Sequence, residues 1–132
     1  MLDTNAFSDL MRENPRLRAR LAAMPATDRA VICSTVRGEI LFGIRHLPAG
    51  KRRRELESKA TNLFAAIPCE PVPEAAGDHY AAVKISRQQQ GLTLDENDLW
   101  IAATVLAIGA VLVTRDSDFQ RVSGLIVEDW TT

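Results

Sequence analysis

The sequence predicts an α/β fold with a short central parallel sheet, and three observations support it. Short apolar runs that suit buried strands occur at residues 30–33 and 110–114. Segments with the apolar spacing of amphipathic helices separate these runs along the chain. The alternation of short strands with helices is typical of a parallel sheet covered by helices on both faces. We therefore expect a three-layer α/β/α sandwich.

The first half of the chain is predicted to contain four helices and one strand. Apolar spacing indicates helices over residues 5–13 and 16–24, and the strand follows at residues 30–33. Ser34 or Thr35 is expected to cap a third helix that runs through residue 47. A fourth, longer helix is expected over residues 51–67.

The second half is predicted to contain two further helices and up to three strands. Residues 69–72 are a doubtful strand, because Pro71 has no N–H to donate to a sheet. A helix over residues 74–90 is expected to end at Gly91. Asn97 is expected to cap the next helix, over residues 98–108, and a strand at residues 110–114 is followed by a short one at 125–127.

Length and composition indicate the class of protein. The 132 residues, 46% of them hydrophobic and 25% charged, suit one globular domain, residues 1–132, with its own core. The longest uncharged run, residues 99–114, is shorter than the roughly 20 residues that span a bilayer, and the N-terminus is polar by Asp3, so neither a membrane helix nor a signal peptide is expected. Cys33 and Cys69 are predicted to be buried free thiols in a reducing cytoplasm.

Acidic residues stand where the predicted strands end. Asp3 follows Leu2, Asp116 follows the strand at residues 110–114, and Glu39 lies in the helix after the strand at 30–33. Asp98 lies near the N-terminal end of its helix, where the dipole favours a carboxylate. Because ligands of parallel sheets sit outside the carboxyl ends of the strands, we expect these four carboxylates at one rim.

Four neighbouring carboxylates need a cation between them. Two unit charges about 4 Å apart repel by roughly 4 kcal/mol at an effective dielectric near 20. Oxygen ligands without cysteine or a histidine pair favour Mg²⁺ or Mn²⁺ over Zn²⁺. Such an ion suits phosphodiester cleavage, because it lowers the pKa of water and stabilises charge on the leaving oxygen. The alternative is that these are isolated aspartates near loops, which do not form a common site.

Four segments resemble, in order and spacing, the successive motifs of PIN-domain ribonucleases, in particular the VapC toxins of bacterial toxin–antitoxin pairs. They are residues 2–5 (LDTN), 34–43 (STVRGEILFG), 97–104 (NDLWIAAT) and 112–119 (LVTRDSDF). The resemblance implies a PIN-like α/β/α sandwich in which Asp3, Glu39, Asp98 and Asp116 hold one or two Mg²⁺ or Mn²⁺ ions for RNA cleavage. It further implies that Thr4 or Asn5, together with Thr114, helps to order the water around the metal. Asp118 matches a position that varies in the family and is treated as auxiliary. Only Met1 and Leu2 precede the first aspartate, so the central first strand is expected to be short.

The resemblance also implies partners: a cognate antitoxin, a second copy of the chain, and an RNA substrate such as transfer or ribosomal RNA. Although the formal net charge is −1, a basic cluster contains no acid and consists of Arg45, Lys51, Arg52, Arg53 and Arg54. This cluster is either a solvated helix end or a contact for RNA or antitoxin. Arg115 is either a phosphate contact or half of a salt bridge, and Asp9 is expected to face solvent. Five apolar residues and one tryptophan suit either a groove or the core: Phe7, Leu10, Phe42, Ile44, Leu47 and Trp100.

Two other functional classes compete with the nuclease. The first is a non-catalytic PIN-like module that binds a protein or RNA; four intact acids argue against it, since a scaffold that does not cut has no need of repelling charges. The second is a receiver-like phosphoacceptor domain. That domain needs an acidic pair after the first strand and a lysine after the last, and the sequence has neither.

Overall fold

The computed structural model describes all 132 residues as six α-helices, four two-residue strands and one 3₁₀ helix. In chain order they are α1 (Thr4–Met11), α2 (Pro15–Ala22), β1 (Ile32–Cys33), α3 (Ser34–Arg45), α4 (Lys51–Ala66), β2 (Cys69–Glu70), α5 (Ala75–Gln89), α6 (Glu96–Ile108), β3 (Leu112–Val113), the 3₁₀ helix (Ser117–Arg121) and β4 (Val127–Glu128). None of the helices combines the length and the apolar character needed to cross a membrane.

The sheet is parallel, and Leu2 stands at its centre. Strand β1 pairs with β2 and β3 pairs with β4, both in parallel. Leu2 joins the two pairs, because it forms a parallel bridge with Val113 and its N–H donates to the carbonyl of Val31 at 2.9 Å. The order is therefore β2–β1–Leu2–β3–β4. The parallel sheet and the short first strand are confirmed, although every strand is shorter than the apolar runs indicated.

Two clusters of apolar side chains hold the helices to this sheet. The main one includes Phe7, Ile32, Ile101 and Leu112, each no more than 1% exposed. A smaller cluster joins α5 and α6 to the chain after the 3₁₀ helix and consists of Val83, Leu99 and Val122. Of the residues that suited either a groove or the core, Phe7, Leu10 and Ile44 belong to the core, Leu47 is half-buried and Phe42 is 70% exposed.

Two of the predicted helix starts are wrong. Helix α3 begins at Ser34 itself, and the residue before it, Cys33, makes no side-chain capping bond. Helix α6 begins at Glu96, because the side chain of Asp95 accepts the N–H of Asn97 at 3.2 Å and so caps the helix two residues earlier than predicted. Its predicted end is confirmed at Gly109, whose φ of 66° is the left-handed conformation that glycine adopts readily.

Three further predictions are corrected. The last strand is Val127–Glu128 rather than residues 125–127. Cys69 is exposed, because β2 lies at the edge of the sheet with only β1 beside it. Asp9 is buried at 9% exposure, since Arg115 brings its Nε within 3.0 Å of Asp9 Oδ2 from the other end of the chain.

Candidate metal centre at the carboxyl end of the sheet

Asp3 is the most firmly held acid at the carboxyl end of the sheet. It directly follows the central residue Leu2 and caps α1, with Oδ1 accepting the N–H of Ala6 at 2.8 Å. Its other oxygen accepts the hydroxyl of Thr114. Burial raises the pKa of Asp3 and repulsion from Asp116 raises it further, whereas the two hydrogen bonds lower it.

Thr114 connects Asp3 to Asp116. It is the first residue after β3 and is 2% exposed. Its Oγ1 donates to Asp3 and accepts the N–H of Asp116 at 3.0 Å. Asp116 in turn caps the 3₁₀ helix, because its Oδ1 accepts the N–H of Asp118 at 2.9 Å. One hydroxyl therefore links the carboxylate of Asp3 to the backbone of Asp116, the residue that carries a second predicted metal-binding acid.

A second threonine holds Glu39 in the same way. Glu39 lies in α3, and Thr4 is the first residue of α1. The Thr4 hydroxyl donates to Glu39 Oε1 at 2.7 Å, which joins the two helices at the side chain of the acid. Two of the auxiliary residues, Thr4 and Thr114, thus contact the acids directly.

Asp98 is the one predicted metal-binding acid whose carboxylate accepts no hydrogen bond within the chain. It is the third residue of α6 and is half-buried. Burial raises the pKa of Asp98 to about 7, and repulsion from four other carboxylates adds to this rise; they belong to Glu39, Asp95, Asp116 and Asp3. Four carboxylates from separate segments therefore act on one another across a single site. None of the four forms an ion pair with a basic side chain.

The donor set fits a hydrated divalent cation. No three side chains of the acidic, histidine or cysteine type lie close enough together to ligate one ion directly. Mg²⁺ is usually held through one or two carboxylates and keeps several of its waters, so it does not need such a closed set. The site offers carboxylate oxygens, two threonine hydroxyls and uncompensated negative charge, which suits a hard cation.

The remaining predicted site residues do not contact the four acids through their side chains in the way that the two threonines do. Asn5 is exposed and its side chain makes no hydrogen bond within the chain, and Asp118 is also exposed and contributes its N–H rather than its carboxylate. Arg115 forms the salt bridge that was one of its two alternatives, to Asp9. Trp100 is half-buried, and its ring stacks on Tyr80 with the centroids 4.2 Å apart.

The basic cluster spans the end of α3 and the first turn of α4. Arg45 is the last residue of α3, and Lys51 and Arg53 pair with acids one turn along α4, at 3.8 and 2.9 Å. Arg52 and Arg54 are exposed and form no ion pair. Positive charge in the first turn of a helix opposes the helix dipole, so helix stability does not account for the cluster.

The sequence reasoning missed two charged residues that matter to the molecule. Asp95 caps α6 and adds to the repulsion on Asp98. Its signal was present, because an aspartate just before a helical pattern is a strong capping candidate. Arg87 is only 5% exposed. It lies four residues after Val83 on the buried side of α5, a spacing that could have indicated burial.

Comparison with known proteins gives one consistent result. A family model described as PIN domain matches residues 1–125. Ribonuclease VapC1 of Haemophilus influenzae (strain R2866) is 32% identical to this chain, over 99% of this chain and 97% of that protein. The structure of VapBC2 from Rickettsia felis bound to a DNA fragment from their promoter matches with a TM-score of 0.90 and 26% identity, covering 98% of this chain and 97% of that one. The structure of VapBC-1 from nontypeable Haemophilus influenzae matches with a TM-score of 0.87 and 28% identity, covering 100% and 98%.

Proposed function

This chain belongs to the PIN-domain family, and on that premise we propose that it is a metal-dependent endoribonuclease, the toxin of a VapC-type toxin–antitoxin pair. The observation that carries the proposal is the mutual repulsion of acids that reach one rim from separate segments. The pKa of Asp98 rises to about 7 partly because three other predicted ligands face it, and no basic side chain pairs with any of them. We further propose that residues 1–132 act as one domain.

The residues proposed to hold one or two Mg²⁺ or Mn²⁺ ions are Asp3, Glu39, Asp98 and Asp116. When bound, such an ion lowers the pKa of water and stabilises charge on the oxygen that leaves the phosphodiester. Thr114 and Thr4 orient the carboxylates of Asp3 and Glu39 before any cation arrives, and Thr114 also accepts the backbone N–H of Asp116. The N-terminus of α6 contributes backbone N–H groups and a positive dipole end next to Asp98, which partly offsets the repulsion there. This arrangement needs no side-chain nucleophile.

The proposed substrate is RNA, and the proposed protein partner is a cognate antitoxin. The structural relatives described above are VapBC complexes, in which a VapC chain is assembled with VapB. Arg52 and Arg54 are the exposed and unpaired part of the basic cluster, and we propose that they contact the RNA backbone. Transfer or ribosomal RNA is the expected target, and a homodimer is the expected assembly.

The test is RNA cleavage with purified protein. Cleavage should require Mg²⁺ or Mn²⁺, stop on addition of EDTA, and fall at least about a thousandfold in Asp3→Ala and in Asp98→Ala, since each change removes a proposed metal ligand. Asp28→Ala is the matched control, because Asp28 is an exposed acid whose side chain makes no hydrogen bond. Full activity in EDTA, or in either of the first two variants, would contradict the proposal.

A further inference from the structure

A buried cation without an anion lies outside the acidic site. Arg87 is 5% exposed, and only one of its guanidinium nitrogens, Nη2, has a partner, the carbonyl of Thr93 at 2.8 Å. Its Nε and Nη1 are buried and make no hydrogen bond. No acidic side chain forms an ion pair with it. Burying an unpaired charge raises the free energy of the folded state unless a counter-charge pairs with it.

A cavity of about 450 Å³ adjoins Arg87, between α5 and the chain that follows the 3₁₀ helix. Its lining contains three basic or titratable nitrogen side chains, two serines and no acid: His79, Arg87, Arg121, Ser86 and Ser123. Arg121 is exposed and forms no ion pair, so its guanidinium is available at the edge of the cavity.

Backbone donors add to these side chains. Ser123 and Gly124 also line the cavity, and their backbone N–H groups donate no hydrogen bond within the chain. Gly124 has a φ of 79°, so the backbone there is in the left-handed region that glycine favours. The cavity therefore presents guanidinium, hydroxyl and backbone N–H donors, and its lining has no carboxylate acceptor.

We propose that this cavity binds a phosphate group. A guanidinium is planar and matches the oxygens of phosphate with paired hydrogen bonds, and serine hydroxyls and backbone N–H groups complete such sites. A tetrahedral anion in the cavity would pair with the exposed guanidinium of Arg121 and would bring a counter-charge to the side of Arg87 that lines the cavity. The proposal stands independently of the nuclease function, because it rests on Arg87 and the cavity rather than on the acids.

Two sources carry this chemistry: free inorganic phosphate and the phosphodiester of an RNA strand. The 3₁₀ helix connects the cavity to the acidic site, since Asp116 caps its first turn and Arg121 is its last residue. At about 2 Å of rise per residue, five residues span roughly 10 Å, so a strand that lies across the acids can reach the cavity. The experiment separates the two sources with separate titrations.

The experiment follows amide and arginine Nε–H signals of the ¹⁵N-labelled full chain by NMR, in EDTA and at constant ionic strength. Inorganic phosphate up to about 50 mM should produce saturable shifts at Ser86, Arg87, Ser123 and Gly124, whereas added chloride should not. A uridine hexanucleotide is titrated separately. Shifts at these residues with the RNA identify a backbone subsite, and shifts with phosphate alone identify a small-anion site; either result supports the proposal.

Variants locate the binding. Arg121→Gln should weaken phosphate affinity about tenfold without affecting the fold, because Arg121 is exposed. Arg18→Gln is the matched control, since Arg18 is also exposed and unpaired but lies away from the cavity. The absence of saturable shifts with both ligands would overturn the proposal, and so would shifts confined to the basic cluster or equal affinities in the two variants. Because no cleavage is measured, loss of the nuclease function would leave this result unchanged.

Discussion

The two ends of the 3₁₀ helix lie beside groups of opposite charge, acids at its start and arginines at its end. The two groups differ in how firmly neighbouring side chains hold them. At its start, Asp116 belongs to a group of acids that repel one another. Thr114 and Thr4 donate hydrogen bonds to the carboxylates of Asp3 and Glu39, and Thr114 accepts the backbone N–H of Asp116. At its end, Arg121 stands beside Arg87, a buried cation with one hydrogen bond. Both regions have uncompensated charge, but only the acids are positioned by neighbouring side chains.

This difference fits the two roles proposed for these regions. Orienting a carboxylate before the cation arrives lowers the cost of binding and fixes geometry, which a catalytic centre needs. A guanidinium brings its own planar geometry and needs less support to hold an anion. We therefore expect the acidic site to be sensitive to loss of its hydroxyls, and the Arg87 cavity to be sensitive mainly to loss of its charges.

Among the changes that test this comparison and leave all four acids in place, the largest effect is expected from removing the hydroxyl that links Asp3 to Asp116. Thr114→Val should lower kcat for RNA cleavage about 10- to 100-fold at saturating Mg²⁺, because the carboxylate of Asp3 loses its hydrogen bond and the backbone of Asp116 loses its link to Asp3. Thr114→Ser keeps the hydroxyl and should restore kcat to within about threefold of the original chain. If Thr114→Val and Thr114→Ser lower kcat equally, the hydroxyl does not position the acids. The proposed difference between the acidic site and the Arg87 cavity would then be wrong.

The next effect is on the pH dependence of stability without metal. The pKa of Asp98 rises from its ordinary value of 3.8 to about 7 on folding. Between these values the folded state keeps a proton that the unfolded chain has lost, so the free energy of unfolding falls as pH increases from about 4 to about 7. With allowance for solvent screening, the loss should be about 2 kcal/mol. The free energy of unfolding is measured by urea denaturation in EDTA at several pH values. For Asp98→Asn it should not show this fall between pH 4 and pH 7. An equal fall in the original chain and in Asp98→Asn would contradict the prediction.

The acids and the sheet could be predicted from the sequence because both depend on local patterns. Short apolar runs identify strands, and the carboxyl ends of parallel strands meet at one edge, so Asp3 and Asp116 were expected near each other. The start of α6 was mistaken because consecutive polar residues, Asp95 and Asn97 among them, compete for the capping position. Local propensity does not decide between them; the packing of α6 on the rest of the fold does.

The sequence did not predict the burial of two charged residues, Asp9 and Arg87. Asp9 is buried because Arg115, 106 residues away, pairs with it, and no local pattern predicts such a pair. Arg87 lies on the buried side of α5, but arginine is rarely buried without a partner, so the general expectation favours exposure. Buried charged residues of this kind are therefore hard to predict from the sequence and need a structure to be found.

Ligand-induced stabilisation tests whether the two regions bind ions of opposite sign. At ten times its Kd, a ligand specific for the folded state adds about 1.4 kcal/mol to the free energy of unfolding. In thermal melts, Mg²⁺ should stabilise the original chain and Arg121→Gln equally, but not Asp98→Asn. Phosphate should stabilise the original chain and Asp98→Asn by this amount, but Arg121→Gln by only about 0.4 kcal/mol, because its phosphate affinity is expected to be about tenfold weaker. A variant that loses both responses would show that the two regions do not bind independently.

The smallest effect is expected from replacing the buried cation itself. Arg87→Met loses the hydrogen bond to Thr93 but also removes the cost of an unpaired buried charge, and these contributions oppose each other. The free energy of unfolding should therefore change by less than about 1 kcal/mol in phosphate-free buffer. In saturating phosphate the original chain should become the more stable of the two. A loss of several kcal/mol without phosphate would mean that Arg87 serves the fold, because its charge would then be compensated within the chain.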